Sequence, residues 1–346
     1  FLGYLCNLIK SIMIKDISIK SFGPIADVKC EDLGSINLLI GHNGSGKTFF
    51  LKGVYAALKT IEQYQRGKEP RSFKEILSDS LYWTFQVNSL GSLVRKNEQS
   101  LEFSMSSDSG EEFCYTFGIA TTKLVQNVTD TFASTEVNNV FIPAKEIVSI
   151  QDVILRSFDV DKSFGFDKSY VDLSRALNRT MMGRNYKDFS DARECLDDAI
   201  GGRIEYDDDK KAWIFRDKDR RIFEINITSE GIKRLAILDL LLGNHYLTRK
   251  SIVIIDEAEA NLHPEMIRRF MEILVLLAKA GLQIFISTHS YFVIKNLYIL
   301  AHRNKMRIPT LSFVDGKAEQ SDLLDGMPEN PIIRESINIY RKEIEL

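Results

Sequence analysis

Cysteine is scarce in this 346-residue chain: Cys6, Cys30, Cys114 and Cys195 stand at spacings that match no metal-binding pattern. That excludes a disulfide framework or a zinc finger, and the expected setting is a reducing cytoplasm with inert thiols. No stretch reaches the roughly eighteen consecutive apolar residues that a membrane-spanning helix needs, so no membrane partner is expected. Residues 1–12 are apolar with Lys10 as their only charge, but they lack a basic leading region and a small-residue cleavage site, and read as an N-terminal extension. A large excess of either charge is missing too. A net charge of −3 gives no whole-molecule pull toward nucleic acid, so any such binding needs a local basic patch. There is no heptad pattern and hence no coiled-coil lever. With 44% hydrophobic and 27% charged residues, the chain is large enough for one big core or two coupled ones.

What is present begins with Gly41-His42-Asn43-Gly44-Ser45-Gly46-Lys47-Thr48, which satisfies the phosphate-loop pattern G-x-x-x-x-G-K-[ST]. A triphosphate needs many donors at close range, and a glycine-rich turn lets successive N–H groups point inward with no Cβ in the way. Gly41, Asn43, Gly44, Ser45 and Gly46 form the expected cradle. Lys47 would reach the β- and γ-phosphates, and Thr48 would offer its hydroxyl to magnesium. Ile36 to Ile40 read as a buried strand and Phe49 to Leu58 as a helix, so the loop lies at a strand-to-helix junction whose positive helix end faces the phosphates. ATP with Mg2+ is therefore the expected ligand.

A second apolar strand, Ser251 to Ile255, ends in Asp256-Glu257. Asp256 is placed to hold the magnesium, and Glu257, one residue on, to polarise a water in line with the γ-phosphate. Pro264 suits the first turn of the helix that carries Ile267, Phe270, Met271, Leu274 and Leu277 at helical spacing. Gln283 to Ser287 form another buried strand ending in Thr288-His289-Ser290, where the His289 imidazole would donate to the γ-phosphate. Upstream, Thr228-Ser229-Glu230-Gly231 precede a helix over Leu235 to Leu242; Ser229 and Gly231 make either an anion-binding helix end or an ordinary N-cap.

These four motifs, in this order, resemble the ABC-type ATPase heads of SMC, RecF and OLD-family proteins, of which the G-x-N-G-x-G-K-T loop is typical. The resemblance covers residues 13–60 and 220–315. It implies an α/β P-loop NTPase of ABC/SMC-head type, with a mixed central sheet, an antiparallel side sheet and an inserted helical lobe. It further implies that Ser229 and Gly231 act in trans on the nucleotide of a second head, so that a homodimer or higher homo-oligomer sandwiches ATP. Ala258 to Pro264 match the segment crossing that interface, and Leu262-His263-Pro264 is similar to defence-associated, OLD-like ATPases. Ser-Glu-Gly-Ile-Lys-Arg departs from the transporter pattern L-S-G-G-Q. Asn139 to Glu146 look like the segment carrying a magnesium-sensing glutamine, but no glutamine fills its slot; Glu146, Gln151 and Gln86 stay open. The residues after His289 are too few for the metal-dependent nuclease domain of OLD nucleases, and Asp315-Gly316 and Asp325-Gly326 read as turns.

The expected organisation is one head over 13–346, with 13–64 and 220–346 as nucleotide-binding core, 65–140 as a β-rich insert and 150–219 as a helical and hairpin lobe. Within the first insert, Leu81 to Val87, Leu101 to Met105 and Glu112 to Ile119 read as strands. In the second, Arg203 to Tyr206 and Ala212 to Phe215 read as a hairpin. Arg175, Arg179, Arg184 and Lys187, interleaved with Tyr186 and Phe189, form the one basic cluster of interest for nucleic acid, although Asp188, Asp191 and Glu194 intrude. Arg216 to Arg221 read as a charged hairpin turn. Two functions follow as expectations: an ATP-hydrolysing switch acting on a separate effector, a nuclease or toxin in phage defence, or a DNA-binding repair ATPase similar to RecF.

Overall fold

A strand covered on both faces must be apolar or have its polar groups bonded, and Ile36-Asn37-Leu38-Leu39-Ile40 meets that demand: Asn37 is buried too, and its side-chain amide donates to the Gly34 and Ile284 carbonyls. The computed structural model describes residues 13–133, 137–181 and 187–346. Its first half runs β1 (Ile14–Phe22), β2 (Ile25–Cys30), β3 (Ile36–Ile40), α1 (Lys47–Gln63), α2 (Phe73–Phe85), β4 (Ser100–Ser107), β5 (Glu112–Gly118), β6 (Asn127–Asp130) and β7 (Val140–Ile142). There follow α3 (Gln151–Asp159), α4 (Lys168–Leu177), α5 (Ser190–Ile200), β8 (Gly202–Asp207), β9 (Ala212–Asp217), β10 (Ile222–Glu224) and α6 (Glu230–Gly243). The last part is β11 (Ile252–Ile255), α7 (Pro264–Lys279), β12 (Gln283–Thr288), α8 (Tyr291–Asn304), β13 (Pro309–Val314), β14 (Lys317–Asp322) and α9 (Pro331–Ile344).

Eleven of these strands form one sheet in the order β6-β5-β4-β1-β2-β14-β13-β3-β12-β11-β7. From β13 to β7 neighbours run parallel, whereas β6, β5, β4, β1 and β2 pair antiparallel. The antiparallel strands are thus a wing continuous with the main sheet, joined through β14, which pairs with β2 at Lys317 and Asp27 and with β13 antiparallel. A separate antiparallel sheet is made by β8, β9 and β10. Period-two alternation in the parallel strands divides the interior in two. Leu38, Val253, Ile255, Ile284 and Ile286 face a core shared with α4 to α8, while Leu39, Ile252, Ile254 and Phe285 face one shared with α1 and α2. The sheet therefore holds β3, β11 and β12 side by side, with their C-terminal ends together.

The expectation of a strand at Leu81 to Val87 is overturned: all but its last two residues belong to α2. The apolar alternation of Leu81, Trp83, Phe85 and Val87 imitates period two. Upstream, however, Ser72 and Glu75 form a capping box that starts a helix, and Ile76, Leu77, Ser80, Leu81 and Thr84 then bury at helical spacing. Two helices are longer than expected, α1 by starting at Lys47 and α6 by starting at Glu230. In the basic cluster, Phe189 is 1% exposed and is no stacking platform. Arg175 pairs with Asp159, and Arg179 lies over the Tyr246 ring; Arg184, Tyr186 and residues 1–12 lie outside the described residues.

Candidate functional site

The loop between β3 and α1 depends on glycine where the chain turns left-handed. Gly44 and Gly46 have φ of 76° and 109°, and Gly46 is the N-cap of α1. At Gly41 a Cβ would lie 2.6 Å from the Phe313 carbonyl and 2.8 Å from Ser45 Oγ. Lys47 Nζ donates to the Gly41 carbonyl at 2.7 Å and the His42 carbonyl at 3.0 Å, which folds the ammonium into the cradle. Burial pulls its pKa below the ordinary lysine value, against the raising effect of Asp256, Glu257 and Glu259.

From the opposite end of the sequence, Asp256 meets the loop: Thr48 Oγ1 donates to its two carboxylate oxygens at 3.1 and 3.0 Å, across 208 positions. Asp256 is 7% exposed, and its carboxylate also accepts from Ser287 Oγ at the end of β12. Ser287 Oγ in turn accepts from the Glu257 N–H at 2.9 Å. Glu257 itself sits at φ 47°, a left-handed conformation that disfavours any side chain with a Cβ. Pro143, Lys145, Lys52, Asp167 and Tyr170 line the same hollow of about 450 Å³ as Thr48, Asp256 and Glu257. Asn43 to Phe49, Lys52 and Glu257 line a second one of about 420 Å³. Lys52 borders both and pairs with Asp167 at 2.7 Å. Burial, with help from Asp167 and Asp256, pushes the Tyr170 phenol up to about 12.

The residues fit a nucleotide with magnesium. Ser45 Oγ is buried with no hydrogen-bond partner among the described residues, a group that a phosphate oxygen would satisfy. Among the described residues no three His, Cys, Asp or Glu side chains gather into a metal cage. The oxygens of Thr48 and Asp256 suit magnesium, which takes few protein ligands and completes its shell with phosphate and water.

Other expected residues stand apart. His289 follows β12, beside β3, but its N–H donates to Glu259 Oε1 at 2.9 Å and its Nδ1 lies 3.5 Å from the same oxygen. Ser229 is the N-cap of α6 and is exposed, and its side chain makes no cap bond. Gly231 is buried against the 258–264 loop, where a Cβ would lie 3.2 Å from the Asn261 carbonyl. Of the three glutamine-slot candidates, Gln151 is fully engaged, donating to the Ser174 carbonyl and accepting from Trp213 Nε1. Glu146 accepts from the Ser149 N–H, and Gln86 caps α2 in a left-handed conformation.

Arg234 is the residue that motif reading passed over. The residue is 5% exposed, and its guanidinium donates to the Pro143, Ala144, Asp256 and Glu257 carbonyls at 2.8–3.2 Å. The helix that Ser229 precedes is thereby fastened to the turn that presents Glu257. Burial lowers the Arg234 pKa to about 10, so it stays charged at neutral pH. The buried Lys233 adds a second tie, to Ser149 Oγ at 2.9 Å.

A phosphate loop joined to an acidic pair on a neighbouring strand, with a side wing and a lobe that ends at Ser229 and Gly231, gives the chain the fold of a P-loop ATPase head of the SMC type. Comparison with known proteins agrees. Residues 129–295 match the family described as "AAA domain, putative AbiEii toxin, Type IV TA system". An uncharacterized protein of Methanocaldococcus jannaschii is 33% identical over 95 residues, which is 27% of this chain and 41% of that protein. The fold is similar to an SMC head solved with the C-terminal winged-helix domain of ScpA, at 12% identity, 89% and 97% coverage of the two chains and a TM-score of 0.53. It is also similar to an SMC head with an extended coiled coil, bound to the C-terminal domain of ScpA derived from Pyrococcus furiosus, at 11% identity, 96% and 99% coverage and a TM-score of 0.52. Among the described residues no helix is long and apolar enough to cross a membrane.

Proposed function

We propose that this chain binds ATP with Mg2+, hydrolyses it to ADP and phosphate, and closes as a homodimer or higher homo-oligomer over the nucleotide. The observation that carries the reading is the Thr48–Asp256 contact, which joins the loop and the acidic strand into one oxygen-lined site beside Lys47. In this reading Lys47 exchanges its loop carbonyls for phosphate oxygens, and Glu257 orients the attacking water. Thr48 and Asp256 hold the metal, whose charge offsets that of the phosphates. His289 contacts the γ-phosphate by leaving Glu259. Ser229 and Gly231 reach the nucleotide of the second copy, a role supported by the exposed, uncapped Ser229 hydroxyl. The sandwiched triphosphate favours the closed pair by differential contacts, and its cleavage removes them.

We further propose that closure controls a separate effector protein, a nuclease or toxin in anti-phage defence. The toxin wording of the matched family and the ScpA domain bound to each similar SMC head support a partner protein. The division into a core of 13–64 and 220–346 with two inserts belongs to the same proposal. The alternative is a DNA-binding repair ATPase similar to RecF. The deciding experiment is analytical ultracentrifugation of Glu257→Gln with ATP-Mg. An ATP-dependent heavier species is expected; lone copies at saturating ATP would overturn the dimer, and a salt-dependent DNA affinity that appears only with ATP would move the reading to the alternative.

A further inference from the structure

Away from the nucleotide loop, a third hollow of about 520 Å³ lies between the end of α1 with the 66–71 segment, α2, the end of α3 and α4. Five cationic side chains line it, Arg66, Arg71, Lys162, Lys168 and Arg175, against two carboxylates, Glu69 and Asp79. The cations are unevenly neutralised. Arg71 is held by Glu69 through two bonds of 2.8 and 2.9 Å, and Arg175 is paired with the exposed Asp159. The Lys168 side chain is only 8% exposed, yet its nearest carboxylate oxygen, on Asp79, is 3.9 Å away. Lys162 makes no ion pair among the described residues; its ammonium lies 5.8 Å from the centre of the Phe158 ring. A buried ammonium without a close counter-ion is costly unless an anion completes it.

The wall also carries flat aromatic surface. Trp83 and Phe158 both line the hollow, with ring centres 4.6 Å apart, and Phe164 meets Trp83 edge-on at 5.7 Å. Trp83 and Phe158 are only half-buried, so each keeps an open edge or face.

We propose that this hollow binds a nucleotide unit, its base stacked on Trp83 and its phosphate held by Lys162, Lys168 and Arg175. The size suits one unstacked base with its phosphate, within the roughly 300–1,000 Å³ of small-molecule sites. A duplex hides its base faces and cannot use the aromatic wall, whereas a single strand or a free nucleotide can. Lys168 directly follows Asp167, the partner of Lys52 at the ATP site, so one helix touches both ligands. The site does not depend on the ATPase reading.

The test is fluorescence anisotropy of a labelled oligothymidylate of about twelve nucleotides, with thymidine monophosphate as competitor and no ATP, on the full chain. Quenching of tryptophan emission is read in parallel. Wild type and Lys47→Ala are expected to bind alike, and Trp83→Tyr to lose the quenching. Lys162→Glu and Arg175→Glu, both at exposed positions, are each expected to weaken binding about tenfold and flatten its salt dependence by about 0.7 log units per lost phosphate contact. Competition by the monophosphate at equal base concentration would identify the free nucleotide as ligand, and oligomer-only binding the single strand; either supports the site. Unchanged affinity in both charge reversals, loss in Lys47→Ala, or no binding of either probe at low salt would overturn it, and the last two leave the ATPase reading intact.

Discussion

The two ends of the candidate ATP site are built differently. At the loop end, Lys47, Thr48 and Asp256 already bond one another or neighbouring backbone, so the geometry exists in a single copy. At the serine-glycine end, Ser229 projects from α6 with its hydroxyl unused. On the proposed reading, the preformed half binds nucleotide in one copy and the other half makes turnover wait for a second. Arg234 joins the two, because it grows from the helix of one and grips the backbone of the other.

Substitutions can break or sharpen that contrast. The largest effect is expected at Glu257→Gln, where ATP turnover in a phosphate-release assay should fall about 100- to 1,000-fold with ATP affinity kept; wild-type turnover would remove Glu257 from the chemistry. Lys47→Ala should weaken ATP-Mg binding by about 100-fold in calorimetry, from the loss of charge-assisted bonds of about 1.5–3 kcal/mol each. Ser229→Arg is the sharpest probe of the contrast: turnover should drop at least about tenfold, by mass action on the closed pair, with the dissociation constant for ATP unmoved. Equal loss of binding would place Ser229 in its own copy's site. Arg234→Lys should lower kcat about tenfold at constant KM, because an ammonium cannot span the four carbonyls that a planar fork reaches.

How much was legible in advance follows from how local each feature is. The phosphate loop and Asp256-Glu257 declare themselves because their chemistry is complete within a few consecutive residues. The buried strand at 283–288 does so because Ile284, Phe285 and Ile286 put apolar side chains on both faces. Arg234 gave no such signal: its partners are 22, 23, 90 and 91 positions away, and only the fold brings them together. Lys52 could have been found, since it lies one helical turn beyond Thr48 on the same face, but its partner Asp167 could not. The start of α2 was written in Ser72 and Glu75 and was masked by an apolar alternation that happened to match a strand.

The backward-bent backbone at Glu257 has a consequence for evolvability. A residue with a side chain at φ 47° stores about 1 kcal/mol of conformational energy that glycine would release. Glu257→Gly is therefore expected to melt no lower than the native chain in a thermal scan while losing catalysis, and a lower melting point would show that the carboxylate also braces the fold. Selection on robustness alone would erode this position, so if Glu257 has the proposed role, only a need for activity would keep a glutamate there.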